Sequence, residues 1–400
     1  MYVRNNHCYK ERLHPGPIAI FVGLIFLFAG DGSNIQIANN APLFVIAVVF
    51  NVLYMLLANA RIRLNYVTNA LLILFVFNFI YLCIGNYEYS ITMSLFLNFL
   101  LVLTTMYATH SARDIKLIID GAILSSVIFA VLLLLFGEGY SGAIHTKTTY
   151  TQSFGSEIEF EPNFLALLLI TGFELSVWCV IKNIENRRVK IAARYSIAAI
   201  LTFVASLLTG SRSAWVTAIV FALALTFTNG NKRVNKYLII GCIVLVAALA
   251  LAFSSGLISE DIYARLFEDS YYDGSNIHRL MNWKYGLQSI LDNPFGSGPH
   301  ESAQILYRAY GYRSAAHNTF LAFGVYYGFI GSIAFSIIPI GLAISAWKLK
   351  EKEITAMMIS MIVEWNILEC QHTLAQWIFI LICVLILQKR KNGEEIKLFG

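Results

Sequence analysis

Ala316-His317-Asn318-Thr319-Phe320-Leu321-Ala322-Phe323-Gly324-Val325-Tyr326-Tyr327-Gly328-Phe329-Ile330-Gly331 decides how the chain is read. A long mixed-charge segment ends at His317, and an apolar run begins at once. A block of that length and composition is a membrane helix, which takes ~20 apolar residues to cross a bilayer. His317 then stands at the mouth of the helix. Glycines follow at 324, 328 and 331, spaced 7, 4 and 3 residues apart, so helical periodicity puts them on roughly one face below the histidine. A titratable ring above small residues suggests a site at the membrane–water boundary.

Similar blocks recur throughout. The 400 residues are 58% hydrophobic and 13% charged, with mean hydropathy +0.65. Soluble domains carry about 25% charged residues. The chain is expected to be all-α, a single polytopic membrane domain over 1–400, with about twelve spans at 17–30, 42–59, 66–84, 90–108, 115–136, 162–181, 191–209, 212–228, 236–254, 318–346, 354–369 and 373–388. The first 14 residues are polar and basic, and the apolar run after them reads as a first span rather than a signal peptide.

Charge in the connections supports this layout. The N-terminus (Arg4, Lys10, Arg12), the second connection (Arg61, Arg63), the fourth (Arg113, Lys116) and the sixth (Lys182, Arg187, Arg188, Lys190, Arg194) are basic. So are the eighth (Lys232, Arg233, Lys236), the tenth (Lys348, Lys350, Lys352) and the C-terminus (Lys389, Arg390, Lys391). The short odd connections carry almost no Lys or Arg. This is the positive-inside pattern, with both termini cytoplasmic. The net charge of +5 reflects these loops, so no nucleic-acid partner is expected. Six cysteines at 8, 83, 179, 242, 370 and 383 show no CxxC or zinc spacing and read as buried thiols.

Two odd connections are long. Residues 137–161 are acidic, and 255–316 form a large, partly helical outer loop, with helical apolar spacing at 258–267 and 279–291. Asp292-Asn293-Pro294-Phe295-Gly296-Ser297-Gly298-Pro299 is turn material.

Several polar residues need a reason. Gly210-Ser211-Arg212-Ser213-Ala214-Trp215 divides two apolar runs almost without a loop. Arg212 there is either snorkelling to headgroups or part of an anion site beside the first amides of a helix. Arg279 is either a surface charge or a second phosphate contact sharing a helix face with Trp283; Arg265 and Arg313 are weaker candidates for the same role. Asn163, in Glu161-Pro162-Asn163, is a sugar-hydroxyl partner or a satisfied polar group. Glu157 and Glu159 lie on one side of an extended segment, as a solvated acidic pair or a divalent-cation site. Glu369 and His372, one helical turn apart, are expected either to couple as a hydrogen-bonded pair or to serve local structure. His317 at a helix N-terminus favours neutral imidazole, which suits a general base near pH 7.

Taken together, the chain resembles the bacterial O-antigen ligase and O-antigen polymerase superfamily. His317-Asn318, nine residues, then Gly328 is similar to that family's His-(Asn/Ser/Gln)-x9-Gly signature. Gly210 through Trp215 resembles its Ser-Arg-Gly/Ser-Ala-Trp segment. Arg279 through Trp283, followed by 292–298, is similar to the stretch leading to its Gly-x-Gly turn. The resemblance covers about 155–345 by motif and the whole chain by layout. It implies a GT-C-like glycosyltransferase of the inner (plasma) membrane, working on its periplasmic face with a glycan on undecaprenyl pyrophosphate as donor. His317 would be the base, and Arg212 and Arg279 the pyrophosphate ligands. Arg265, Arg313, Asn163, Asn318, Trp283, Glu369 and His372 would support them. The implied reaction is inverting and metal-independent and needs no cofactor. A chain-length regulator and a flippase are the implied partners.

The resemblance leaves the acceptor open. A polysaccharide polymerase would join lipid-linked repeat units, whereas an O-antigen ligase would move the glycan to lipid A–core. Polymerases of this kind often carry two large outer loops with paired arginine–glycine motifs, and only one large loop is visible here. The other functional class is a lipid-linked oligosaccharide transporter or flippase. It is disfavoured by spans nearly free of mid-depth charge, with Glu174 and Glu364 the exceptions.

Overall fold

The computed structural model describes residues 14–26, 41–58, 64–109, 111–138, 149–153, 156–160, 162–228, 236, 240, 275–300 and 316–393. Apolar blocks become helices wherever they are described: α1 (Pro15–Ile25), α2 (Ala41–Leu57), α3 (Tyr66–Cys83), α4 (Tyr89–Ala108), α5 (Ala112–Phe136), α6 (Pro162–Glu185), α7 (Val189–Leu208) and α8 (Arg212–Thr228). After α9 (Ser275–Asp292) come α10 (Thr319–Lys348), α11 (Lys352–Ile367) and α12 (Leu374–Lys391). Six of the described helices are long and apolar enough to cross a membrane. They match spans expected from the sequence, and α1, α2, α8, α11 and α12 fall on five more. Apart from 236 and 240, the expected span at 236–254 lies outside the described residues, as does the helical stretch at 258–267.

Helix is not the whole fold. The connection between α5 and α6, read above only as acidic loop, holds a small antiparallel sheet in the order β1 (Gly137–Glu138), β2 (Thr149–Ser153), β3 (Ser156–Phe160). Thr149 pairs with Phe160 and Ser153 with Ser156, so β2 and β3 run antiparallel in register. Thr-Tyr-Thr-Gln and Glu-Ile-Glu-Phe alternate with period two and are rich in β-branched and aromatic residues, so they suit strands.

The apolar core runs through the bundle from Ile20 of α1 to Leu387 of α12, and Trp178, Phe323, Phe335, Trp365 and Trp377 of α6, α10, α11 and α12 are buried in it. Phe323 stacks on Phe335 at 4.5 Å, and Trp377 meets both edge-on. One end of the bundle is tied by ions. Lys182 at the end of α6 pairs with Glu353 at 3.0 Å and Glu351 at 3.7 Å, and Arg390 of α12 pairs with Glu351 at 2.6 Å.

The helix after His317 is broken. Tyr327 and Gly328 leave helical geometry, with Gly328 at φ 70°, ψ −161°. Into the break fits the turn expected at 292–298. The Phe329 N–H donates to Pro294 O at 3.0 Å, and the Ser297 N–H donates to Val325 O at 2.8 Å. From α3, the Tyr81 hydroxyl donates to the carbonyls of Phe295 (3.0 Å) and Gly296 (2.9 Å). The Tyr327 hydroxyl donates to Asn78 at 2.7 Å. The turn thus takes over backbone groups that the kink frees, as buried polar groups require.

This corrects the small-residue groove. Gly324 meets Ile290 of α9, Gly328 meets Pro294 O, and Gly331 meets Phe323 O and Tyr327. These glycines serve close backbone approach and leave no open slot. Gly328 needs its freedom twice, for a positive φ and because any Cβ would run into the Pro294 carbonyl. Gly328→Ala is expected to cost about 2 kcal/mol or more, from left-handed strain and overpacking together. A lower unfolding midpoint in detergent would register it.

Candidate functional site

His317 sits just before α10. Asn318 caps that helix, its Oδ1 accepting from the Leu321 N–H at 3.0 Å, while its Nδ2 donates to Asn366 Oδ1 at 3.2 Å. The cap directs the chain out of the helix at His317, which adopts φ +51°. Only a few per cent of non-glycine residues do so, at a cost of about 1–2 kcal/mol. The surroundings hold it there. The His317 N–H donates to Glu369 Oε2 at 3.2 Å, and the Trp283 indole N–H donates to His317 O at 3.4 Å.

Glu369 is the centre of this clamp. Besides His317, it accepts the backbone N–H of Ala316, Gln371 Nε2 at 2.8 Å and the Tyr326 hydroxyl at 3.4 Å. Gln371 Nε2 also donates to the Tyr326 oxygen at 2.9 Å. Burial pushes the Glu369 carboxyl above its usual range, while the Gln371 amide and the two backbone N–H groups draw it back. Thr319 ties the same strands together, donating to Leu368 O at 2.7 Å and accepting from the Cys370 N–H at 3.1 Å.

The coupling expected between Glu369 and His372 is not made. Both lie in the non-helical link 368–373 between α11 and α12, so their three-residue spacing does not stack them. His372 instead packs edge-on against Phe164 at 5.4 Å, and its Nδ1 is buried without a hydrogen-bond partner. Burial lowers this imidazole to about 4, which keeps it neutral at physiological pH.

Phe164 leads to the arginine side of the site. Its neighbour Asn163, in the first turn of α6, accepts from the Ser211 hydroxyl at 2.9 Å. Ser211 and Ser213, their hydroxyl oxygens 2.9 Å apart, flank Arg212, the half-buried first residue of α8. Ser213 then donates to Glu364 Oε1 at 2.8 Å, and Thr217 to Glu364 Oε2. Glu364 is fully buried on α11, and Arg279 lies near enough for its charge to act on that carboxylate. Trp283 stands one helical turn beyond Arg279 on α9. Among the described residues, Trp283, His317 and Glu369 are joined by hydrogen bonds around the start of α10, where Asn318 bonds Asn366. Asn163, Ser211, Ser213 and Glu364 form a second bonded group beside Arg212, and the charge of Arg279 acts on the Glu364 carboxylate. Gly286 of α9 lies against Leu321, and Gly324 of α10 lies against Ile290, so the arginine-bearing helix rests directly on the histidine-bearing one.

Arg265 and Arg313 lie outside the described residues. Glu157 and Glu159 lie within β3, and no group of three His, Cys, Asp or Glu side chains gathers among the described residues. Sequence reasoning missed Ser211, Ser213, Thr217, Tyr326 and Gln371. Glu364 was visible only as a carboxylate within an apolar run.

Comparison with known families adds an independent finding. Residues 197–336 match the family model described as O-antigen ligase. The match starts in α7 and ends in α10. It takes in Arg212, Arg279, Trp283, His317 and Gly328, and stops short of Glu364, Glu369 and His372. Among curated proteins none matches the chain.

Proposed function

We propose, from the place of residues 197–336 in the O-antigen ligase and polymerase superfamily, that this membrane protein transfers a glycan from undecaprenyl pyrophosphate to a sugar hydroxyl. The observation that carries the reading is the meeting of segments far apart in sequence. Arg212 starts α8 between two serines bonded to Asn163 and Glu364, Arg279 of α9 acts electrostatically on that same Glu364, and Trp283, one turn from Arg279, bonds the His317 carbonyl, which supports one site for all three.

The chemistry follows from those residue types. His317, as neutral imidazole, takes the acceptor hydroxyl proton while the oxygen attacks the anomeric carbon. The bond from that carbon to the pyrophosphate breaks, and inversion follows from attack opposite the leaving group. Undecaprenyl pyrophosphate departs with its electron pair, and Arg212 and Arg279 bind the growing negative charge. This leaving group is already good, so two guanidinium groups suffice and no metal is needed. Asn163, Asn318 and Trp283 support the site, and Arg265 and Arg313 of the large outer loop are further candidate phosphate contacts. With both termini cytoplasmic, every segment of the site lies on the outer, periplasmic face of the inner membrane.

For the acceptor, the reading is a second lipid-linked repeat unit, which makes the protein a polysaccharide polymerase within a single membrane domain. A chain-length regulator and a flippase would work beside it. The description of the matched family favours a second reading, a ligase delivering the glycan to lipid A–core. A deletion strain separates the two. Core bearing a single repeat unit means a lost polymerase. Bare core with lipid-linked polymer accumulating means a lost ligase.

A further inference from the structure

We propose that Glu369 is the positioning residue of the transfer reaction: its carboxylate accepts the backbone N–H groups of Ala316 and His317 and fixes the histidine in its left-handed conformation, so that the imidazole meets the acceptor hydroxyl. The inference rests on the reading of His317 as the base.

The geometry asks for an acceptor at this place. His317 φ +51° is an uncommon conformation, and a histidine there relaxes unless its neighbours hold it. Asn318 fixes the helix side of the residue through its cap, and Trp283 holds the His317 carbonyl. The N–H side is left to Glu369. That carboxylate is itself held on its other oxygen by Gln371 and Tyr326. Tyr326 lies in α10, so the clamp is anchored on the helix that His317 introduces. Glu369 comes from the link after α11, outside the segment that matches the family model, so this chain supplies the clamp from a separate part of its sequence.

The carboxylate acts here as an acceptor, and a carboxamide can replace it. Glu369→Gln keeps an oxygen toward the two backbone N–H groups. Its new NH2 then faces Gln371, whose Oε1 is buried without a partner and becomes the acceptor when that amide turns. Glu369→Ala removes the acceptor, and Glu369→Asp withdraws it by one methylene.

The test uses full-length protein purified in detergent and lipid-linked glycan extracted from the host membrane, with kcat, KM and the thermal unfolding midpoint measured for each variant. Glu369→Ala and Glu369→Asp are expected to lose about 10- to 100-fold in kcat, with KM for the lipid-linked donor within about twofold, because a small misplacement of a catalytic group costs on that order. Glu369→Gln is expected to stay within about threefold of wild type. Where Glu369→Ala is not recovered from the membrane, Glu369→Asp carries the same comparison. The inference is overturned if the Ala or Asp variant keeps wild-type kcat, if Gln is as slow as Ala, or if the loss falls on KM alone. His317→Ala separates the two levels. An active His317→Ala removes the parent reading, whereas an inactive His317→Ala beside a fully active Glu369→Ala removes only the role of Glu369.

Discussion

Replacing His317 with alanine is expected to lower glycan transfer by about 10²–10⁴-fold, the usual contribution of a positioned general base. Insertion and thermal stability should stay close to wild type. The imidazole belongs to a half-buried residue just before α10, and alanine keeps the backbone bonds of that residue to Glu369 and Trp283. Alanine at φ +51° carries strain similar to that of histidine, so any loss of stability should be on the order of 1 kcal/mol. Turnover measured in detergent with lipid-linked donor would check the expectation. Activity within a few-fold of wild type would exclude His317 as the base and leave it as the hinge between the outer loop and α10.

A second substitution refines this result. Asn318 is explained by the fold, since it caps α10 and bonds Asn366. Asn318→Asp keeps the capping oxygen but gives up the donor to Asn366. The expected outcome is little change in stability, because aspartate and asparagine cap about equally well. A large loss of activity without a loss of stability would move Asn318 from helix cap to substrate contact.

The bundle was legible in the sequence because apolar blocks of ~20 residues have few alternatives to membrane helix. Where the chain departs from that pattern, the departures come from contacts between distant segments. The kink at Gly328 depends on a turn about thirty residues earlier docking through Pro294 and Ser297, and the glycine spacing alone suggested an open groove. The antiparallel pair of β2 and β3 had the alternation of strands, but the count of acidic residues dominated the reading of that loop. Glu369 and His372 were paired on helical spacing that applies only inside a helix, and the link between α11 and α12 is not one.

The site was legible as residue types and less so as partnerships. Arg212, Arg279 and His317 stood out because each is costly or conspicuous next to apolar sequence. Ser213 and Thr217 are ordinary residues of an apolar helix until Glu364, nearly 150 residues away, takes both hydroxyls. The reading of Arg212 as a snorkelling charge also depended on what surrounds it. The serines on either side of it are bonded to Asn163 and Glu364, partners that the sequence segment alone does not show.

The arginines give the other large effect. Arg212→Lys is expected to lower kcat/KM by about 10- to 100-fold, and Arg279→Lys by a similar factor. A hydrogen bond to a charged group is worth about 1.5–3 kcal/mol, and lysine keeps the charge but not the planar fork that holds two phosphate oxygens at once. A merely electrostatic or anchoring role would survive the exchange, so lysine is a sharper test than alanine. The two substitutions should not add. Arg212 stands beside Ser213, which bonds Glu364, and the charge of Arg279 acts on the same carboxylate, so on the proposed reading the two cations are coupled through that carboxylate as well as through the leaving group. In the double variant the loss should therefore fall short of the product of the single losses, because the first substitution already misplaces the pyrophosphate that the second arginine would hold. Independent, multiplying losses would mean that the arginines touch different parts of the substrate, with Arg279 on the sugar side beside Trp283. Wild-type turnover in Arg212→Lys alone would leave that residue as an anchor to the lipid headgroups, and the charge of the departing pyrophosphate would then fall to Arg279 and the large outer loop.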